Sequence, residues 1–274
     1  MADEPSYSLA LSDIEVERYR FMAQVARAGE AALWERAGIA EGAVIADVGC
    51  GPGLVLLALA DVVGPEGRVS GVDRDPAAAA TAAKLIGEAG VANATVAEGP
   101  AWATGLPSGS FDVVNIRHVL AHNTADDVRR ILEHAFDLLR PGGAIYLVDV
   151  DLTGGRMDPP DEDLQDLLDR YVLHLRDTGR NPAIGPTLGS AVAAAGFDRV
   201  ERSAGFQMPP PQALTAIRPP AWAAREAMRA SGHATDADIE RWERGLTRFA
   251  ATAVELDRAI FMSIYQVVAR KPGS

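Results

Sequence analysis

Two carboxylates, Asp47 and Asp73, stand where a ligand would meet this chain. The first belongs to an apolar run, Val44-Ile45-Ala46-Asp47-Val48, that enters a glycine turn, Gly49-Cys50-Gly51-Pro52-Gly53. The second closes another run, Val69-Ser70-Gly71-Val72-Asp73. A strand passing into such a turn lets the backbone take positive φ and approach a ligand with no Cβ in the way. Leu54-Val55-Leu56-Leu57-Ala58-Leu59-Ala60 then reads as the first turns of a helix. The third glycine comes one residue early for the dinucleotide fingerprint G-x-G-x-x-G, and Leu54 stands where that motif has glycine, which disfavours NAD and FAD. A phosphate cradle also uses Lys or Arg, yet from Glu41 to Ala60 the only charged side chains are the acids Glu41 and Asp47.

A cationic ligand without phosphate suits this turn. S-adenosylmethionine joins an adenosine to a sulfonium and an ammonium group, so Asp47 attracts it by Coulomb's law. Asp73 is placed to accept hydrogen bonds from both ribose hydroxyls. Asp47-Val48-Gly49-Cys50-Gly51-Pro52-Gly53 matches the pattern D-x-G-x-G-x-G, and Ser110-Phe111-Asp112-Val113-Val114 and Leu138-Leu139-Arg140-Pro141-Gly142-Gly143 match two further motifs. On these segments the chain resembles a class I S-adenosylmethionine-dependent methyltransferase, of the small-molecule type related to ubiquinone and menaquinone biosynthesis enzymes. The resemblance spans roughly residues 14 to 150 and is looser beyond.

That resemblance implies a Rossmann-like, doubly wound α/β fold: a mostly parallel seven-stranded sheet whose last strand runs antiparallel beside the fifth. It implies cofactor contacts from Asp47, Gly49, Cys50, Gly51, Gly53, Asp73, Arg74, Gly99, Ala101, Trp102 and Arg117, and from Arg20, whose guanidinium would reach the methionine carboxylate. One position departs. The family's third strand ends in Gly-Asp-Ala, but here the run is Glu98-Gly99-Pro100-Ala101-Trp102, with proline in place of the acid that holds adenine. Backbone groups around Ala101 and stacking on Trp102 are the expected substitutes.

After the fourth strand comes Arg117-His118-Val119-Leu120-Ala121-His122. If a helix begins there, His118 and His122 share one face. No third ligand, Cys pair or H-E-x-x-H accompanies them, so zinc is not expected. An imidazole titrating near neutrality suits general-base catalysis, with His118 ahead of His122; the alternative is a buried, backbone-bonded histidine. Arg117 is read as a contact for the cofactor's methionine portion or a substrate anion, or else as a solvated arginine. Asp149 and Asp151 end the fifth strand and either orient substrate or bond backbone. Cys50 has no His or Lys nearby in sequence to activate it, and packing in the turn is its expected role.

The elements that must position these groups alternate. Residues 1–12 read as disordered, Ile14 to Ala37 as one helix closed by Gly38, and Asp75-Pro76 as a helix start running to Ala89. Strands at Val91–Ala97, Phe111–Ile116 and Ala144–Val150, with a capped helix from Thr124 to Leu139, call for a parallel sheet covered on both faces. Leu164, Leu167, Leu168, Tyr171, Val172 and Leu175 mark an amphipathic helix; Phe197–Ser203 and Ile260–Ala269 read as the last strands. Between these lies a stripe, Ile239, Trp242, Leu246, Phe249, Ala253 and Leu256, read as a helical lid over the substrate, with another core layer or a homodimer seam as alternatives. The organisation expected is a tail and cap helix (1–40), a cofactor-binding core (41–206), a helical lid insertion (207–258) and a final strand (259–274).

Net charge is −12 and no Lys/Arg cluster tracks a phosphate backbone, which argues against nucleic acid and anionic membrane. A single cysteine, no signal-like start and no apolar run of about 20 residues give a cytoplasmic expectation. The function expected is methyl transfer from S-adenosylmethionine to O, N or C of an apolar or aromatic small molecule such as a secondary metabolite or quinone. The alternatives are a cofactor-bound enzyme that cyclises or rearranges its substrate without methylating it, and, behind that, a NAD-dependent oxidoreductase.

Overall fold

The computed structural model describes residues 13–215 and 218–273; the tail expected to be disordered lies outside them. Helices α1 (Asp13–Gly29) and α2 (Ala31–Ala37) lead into β1 (Val44–Val48), α3 (Leu54–Val63), β2 (Arg68–Asp73), α4 (Pro76–Glu88), β3 (Ala94–Glu98) and β4 (Phe111–Arg117). Then come α5 (Ala125–Leu138), β5 (Leu139–Asp158), α6 (Glu162–Asp177), α7 (Leu188–Ala194) and β6 (Asp198–Gln207). The chain ends with α8 (Pro211–Leu214), α9 (Pro220–Ala223), α10 (Arg225–Ala230), α11 (Asp236–Ala251) and β7 (Ala259–Arg270).

The seven strands lie in the order β3-β2-β1-β4-β5-β7-β6. Neighbours from β3 to β5 pair parallel, and β7 runs antiparallel between β5 and β6. Chain order reverses at the β1/β4 boundary, which opens a crevice beyond the carboxyl ends of those strands. Side-chain alternation assigns the two faces. Ala46, Val48, Val114, Ile116, Ile145 and Leu147 pack with α5 and α7 through Ile131, Leu138 and Leu188. Ile45, Val113, Tyr146 and Val148 pack on the other face with Trp34, Leu56 and Leu59 of α2 and α3. Asp47, Asn115 and Arg117 share the parity of Ile45 and Val113 and therefore lie on the α2–α3 side.

Several boundaries differ from the sequence reading. The helix expected over Ile14–Ala37 is two helices, because Glu30 leaves helical geometry (φ −115°, ψ 5°) and turns its carboxylate inward; Gly38 does close α2, at φ +90°. Val91 lies past the end of α4 with its amide bonded back to the Ile86 carbonyl, and β3 starts at Ala94. Thr124 caps α5 through the Asp127 amide, and its hydroxyl also donates to the Asp127 carboxylate. The full reciprocal capping box is at Thr235 and Asp238, at the start of α11. The largest difference is β5, which continues eight residues beyond Val150 to Asp158: after an irregularity between Asp151 and Arg156, it still finds β7 as partner through Asp158↔Ala259.

This β5/β7 extension carries a third apolar core with α6 and α8–α11. Trp242 is fully buried there and donates from Nε1 to Asp166 at 2.9 Å. Arg241 and Arg248 tie α11 to Asp161, Asp163 and Asp166 around α6. The stripe read for a lid is thus buried against α6 as far as Ala253, whereas Leu256 lies beyond the helix and is exposed. Trp242→Ala should cost about 3–5 kcal/mol by emptying the centre of this core. Chemical denaturation measures it, and a loss below about 1 kcal/mol would show that the core does not depend on that ring.

Candidate active site

The turn after β1 is held from below by β2: the Gly49 and Cys50 amides both donate to the Val72 carbonyl, at 2.7 and 3.1 Å. The Gly51 amide donates to Asp73 Oδ2 at 2.8 Å, and Asp73 Oδ1 accepts from the Asp75 amide at 2.9 Å. Gly49 sits at φ +76°, and a Cβ there would stand 2.3 Å from Cγ2 of Val119, in the loop that follows β4. Gly53, at φ +81°, is crowded by Ala82 of α4, 2.8 Å from where its Cβ would be. Glycine is therefore required both for conformation and for the close approach of two neighbouring elements.

Asp47 is 2% exposed. Its Oδ1 accepts from Asn115 Nδ2 at 2.7 Å, while Oδ2 has no partner. Burial pushes its pKa up to about 6, with Asn115 and then Arg117 opposing the rise and the charge of Asp73 adding to it. Asp73 is also raised, chiefly by burial, against its two backbone donors; the exposed Arg74 pulls it the other way. Each Asp73 oxygen retains an acceptor site after its backbone bond, which is what a vicinal diol needs. A buried carboxylate oxygen left open beside the turn fits a cation. The residues present therefore match the donor and acceptor pattern of S-adenosylmethionine better than that of a pyrophosphate.

Arg117, at the end of β4, is not solvated. It is 8% exposed and forms a buried ion pair with Glu30, whose same oxygen accepts from the Tyr146 hydroxyl at 2.6 Å. The Arg117 Nη2 atom has no partner. Arg20 is exposed on α1. Gly99 bonds the Asp73 carbonyl through its amide, at 2.9 Å, fixing the start of the loop that carries Ala101 and Trp102. The Arg130 guanidinium lies 4.9 Å over the Trp102 ring, so one face of that ring is taken. Cys50 is buried in the turn with its thiol pKa pushed up by burial, as a packing residue requires.

His118 and His122 do not share a helical face. His118 takes a left-handed conformation (φ +53°) with its amide on the Val148 carbonyl, and the helical turn begins only at Leu120. The crossing of Val119 over Gly49 turns the chain sharply here, which explains why no helix propagates from the strand end. His122 lies in that short turn, 3.3 Å from the Tyr171 hydroxyl. Asp149, buried and raised to about 6 by burial, accepts from the Val150 and Ala121 amides, the backbone alternative. Asp151 closes a local turn on Thr153. Among the described residues no group of three His, Cys, Asp or Glu is placed to hold a metal ion.

Glu30, Asn115 and Tyr146 escaped the sequence reading. Asn115 was findable as a polar residue inside an otherwise apolar run; Glu30 carried no such signal, being one acid among many on an amphipathic helix. Beneath α8–α11 lies a narrow apolar crevice of about 40 Å³, lined among others by Leu152, Met157, Leu168, Leu214, Phe249 and Met262. Trp242 is core, Trp222 is sandwiched by Arg218 and Arg225, and Phe206 and Met208 are exposed at 74% and 59%. A wider polar cleft of about 390 Å³, lined by Glu41, Asp112, Arg140 and Arg270, opens at the other end of the sheet, away from the glycine turn.

Residues 45–143 match the family described as methyltransferase domain. The chain is 32% identical over 200 residues to an uncharacterized 37.1 kDa protein in transposon TN4556 of Streptomyces fradiae, covering 71% of this chain and 52% of that one. It is 38% identical over 120 residues to nocamycin O-methyltransferase of Saccharothrix syringae, covering 43% and 40%. The chain thus spans about half the length, or less, of these relatives. Among solved structures, the 4+2 cyclase SpnF has the same fold, with a TM-score of 0.58, 18% identity and coverage of 92% of this chain and 83% of that one. No helix among the described residues is long and apolar enough to cross a membrane.

The raised carboxylates give the site a pH dependence. Between about pH 7.5 and 5.5 Asp47 and, on the other face of the sheet, Asp149 take up protons in the free protein, and at Asp47 a bound cation opposes that uptake. Affinity for S-adenosylmethionine should fall several-fold across that interval, as calorimetry at both ends would show; an unchanged Kd would contradict it. For these two groups the free protein has the opposite trend. Their folded pKa values lie above the unfolded ones, so their contribution to stability rises as pH falls from about 6 toward 4.

Proposed function

Because residues 45–143 are a methyltransferase domain of the class I, S-adenosylmethionine-dependent kind, we propose that this chain transfers a methyl group to oxygen, nitrogen or carbon of an apolar or aromatic small molecule. The observation that carries the reading is the glycine turn set between a buried carboxylate, Asp47, and a half-buried one, Asp73, with no Lys or Arg in the turn itself. The name of the Saccharothrix relative makes oxygen the first acceptor atom to test. A cytoplasmic location and a diffusible acceptor go with this reading.

When bound, S-adenosylmethionine supplies a methyl carbon already activated by its positive sulfur. The chain's contribution is to hold and enclose. Asp73 and the Gly51 amide it anchors fix the ribose end, Asp47 faces positive charge, and the backbone from Gly99 to Ala101 borders adenine. Holding two reactants in near-attack geometry is worth up to roughly 7–11 kcal/mol. His118, at the end of β4, is the general base for a protonated nucleophile, a role worth about 10² to 10⁴ in rate. The acceptor enters under α8–α11. The apolar undersides of these helices, which line the crevice with Leu214, Leu246 and Phe249, select an apolar acceptor.

Incubation with labelled S-adenosylmethionine and a panel of alcohols, phenols, amines and carboxylates, followed by mass spectrometry, tests the reading. Labelled product together with S-adenosylhomocysteine is expected. Substrate conversion without S-adenosylhomocysteine would favour cyclisation or rearrangement instead. Asp73→Ala should weaken cofactor binding by about 10-fold or more, as two hydrogen bonds are lost. His118→Ala should leave that affinity nearly intact and lower turnover by about 10² or more; an unchanged rate would remove His118 from the base role.

A further inference from the structure

The arginines around the third core fall into two sets. On its outer side Arg170, Arg229, Arg241 and Arg248 each meet a carboxylate. Arg218 and Arg258 meet none among the described residues, although the chain carries a net charge of −12. Arg258 is 7% exposed; it donates to neutral oxygens, the Thr252 hydroxyl at 2.8 Å and the Pro159 carbonyl at 3.5 Å, and lies 4.5 Å over the Phe249 ring. Arg218 is less well provided. It is half-buried, its guanidinium lies 5.4 Å from the centre of the Trp222 ring, and its Nη1 atom is buried with no hydrogen-bond partner. Arg225, stacked on the same ring, donates to the Trp222 carbonyl and has Glu226 at 3.8 Å. Arginine is seldom buried without a counter-charge, and stacking on a ring offsets the desolvation of a guanidinium only in part.

Both cations border the apolar crevice beneath α8–α11. Leu214 and Pro219, on either side of Arg218 in the chain, line it, as does Phe249 under Arg258. No charged residue among those described lines the crevice itself. An apolar slot with unanswered positive charge beside it is complementary to an amphiphile with an acid at one end. We propose that Arg218 is a specificity-determining residue that binds a carboxylate of the acceptor, and that the acceptor is a hydrocarbon acid whose apolar body occupies the crevice. The inference rests on the methyl-transfer reading above and adds a charge to the acceptor class named there. Carboxylate fits better than phosphate. One guanidinium offers a single planar edge, whereas a phosphate dianion calls for more donors, and the chain's two lysines, Lys84 and Lys271, lie in α4 and just past β7. Trp222 is the positioning residue, a flat surface against which the guanidinium rests. The crevice is narrow, at about 40 Å³, and suits a slender chain better than fused rings.

The test compares three probes of one chain length by calorimetry on the full chain: octanoate, octanamide and octyl phosphate. Wild-type protein should bind octanoate about 10- to 100-fold more tightly than octanamide, the range of a charge-assisted hydrogen bond. Arg218→Met keeps the apolar stem and leaves no acid of the protein unpaired, so its melting temperature should stay within about 3 °C of wild type. That variant should narrow the octanoate preference to within about threefold while octanamide binds as before. Arg218→Lys, which keeps the charge and loses the planar fork, should give an intermediate ratio. Equal binding of octanoate and octanamide by wild-type protein, binding of neither, or a preference that survives in Arg218→Met overturns the inference. Octyl phosphate bound more tightly than octanoate overturns it too, by moving the ligand to a phosphate. A parallel titration with S-adenosylmethionine reads the other premise separately: its failure to bind would overturn the methyl-transfer reading, whatever the octanoate ratio.

Discussion

A carboxylate buried at the end of a central strand is the constraint around which the rest of this molecule is arranged. Asp47 cannot be hydrated where it lies, so the structure surrounds it with an amide from Asn115, a cation at Arg117 and a turn of glycines. None of these neutralises it: its pKa remains near 6 and one oxygen remains open. Buried charge is tolerated in proteins when something compensates it, and here the compensation is incomplete in the protein alone. Arg117 in turn is held by Glu30 from the α1/α2 junction, which also accepts from Tyr146 of β5. One buried acid thus accounts for a polar network spanning β1, β4, β5 and the α1/α2 junction.

The second organising element is a division of labour between cores. Two apolar layers sandwich the parallel part of the sheet and support the glycine turn. The third is built on the β5/β7 extension and closed by α6 and α8–α11. Its outer side is cross-linked by an arginine–aspartate lattice in which Asp166 receives Arg170, Arg241 and the Trp242 indole, and Asp163 receives Arg241 and Arg248. Such partly exposed pairs are individually weak. Their effect is to fix the angle at which α11 crosses α6, and with it the shape of the apolar crevice below.

The glycine turn and the strands on either side of it are legible because their signals are local. Asp47, Gly49, Gly51, Gly53 and Asp73 lie within short strand-turn segments whose spacing alone reports their environment. The sheet followed from alternation, and the antiparallel last strand from the family resemblance. What could not be read depends on partners distant in sequence. Nothing in Thr153-Gly154-Gly155 announces that β5 resumes, because the reason is a register with residues near 260. Glu30 is one of many acids until the chain leaves helical geometry there and points it at residues 117 and 146. His118 sits at a strand end as expected, but its left-handed backbone goes with Val119 crossing Gly49, a contact between two loops.

The β5/β7 extension continues the sheet as a two-stranded ribbon, and the helices of the third core are mounted on it rather than on the strands that hold the glycine turn. Its residues share almost no packing with the two layers around the central strands. A substitution beneath α8–α11 therefore acts on the crevice there and leaves the packing around the glycine turn as it is.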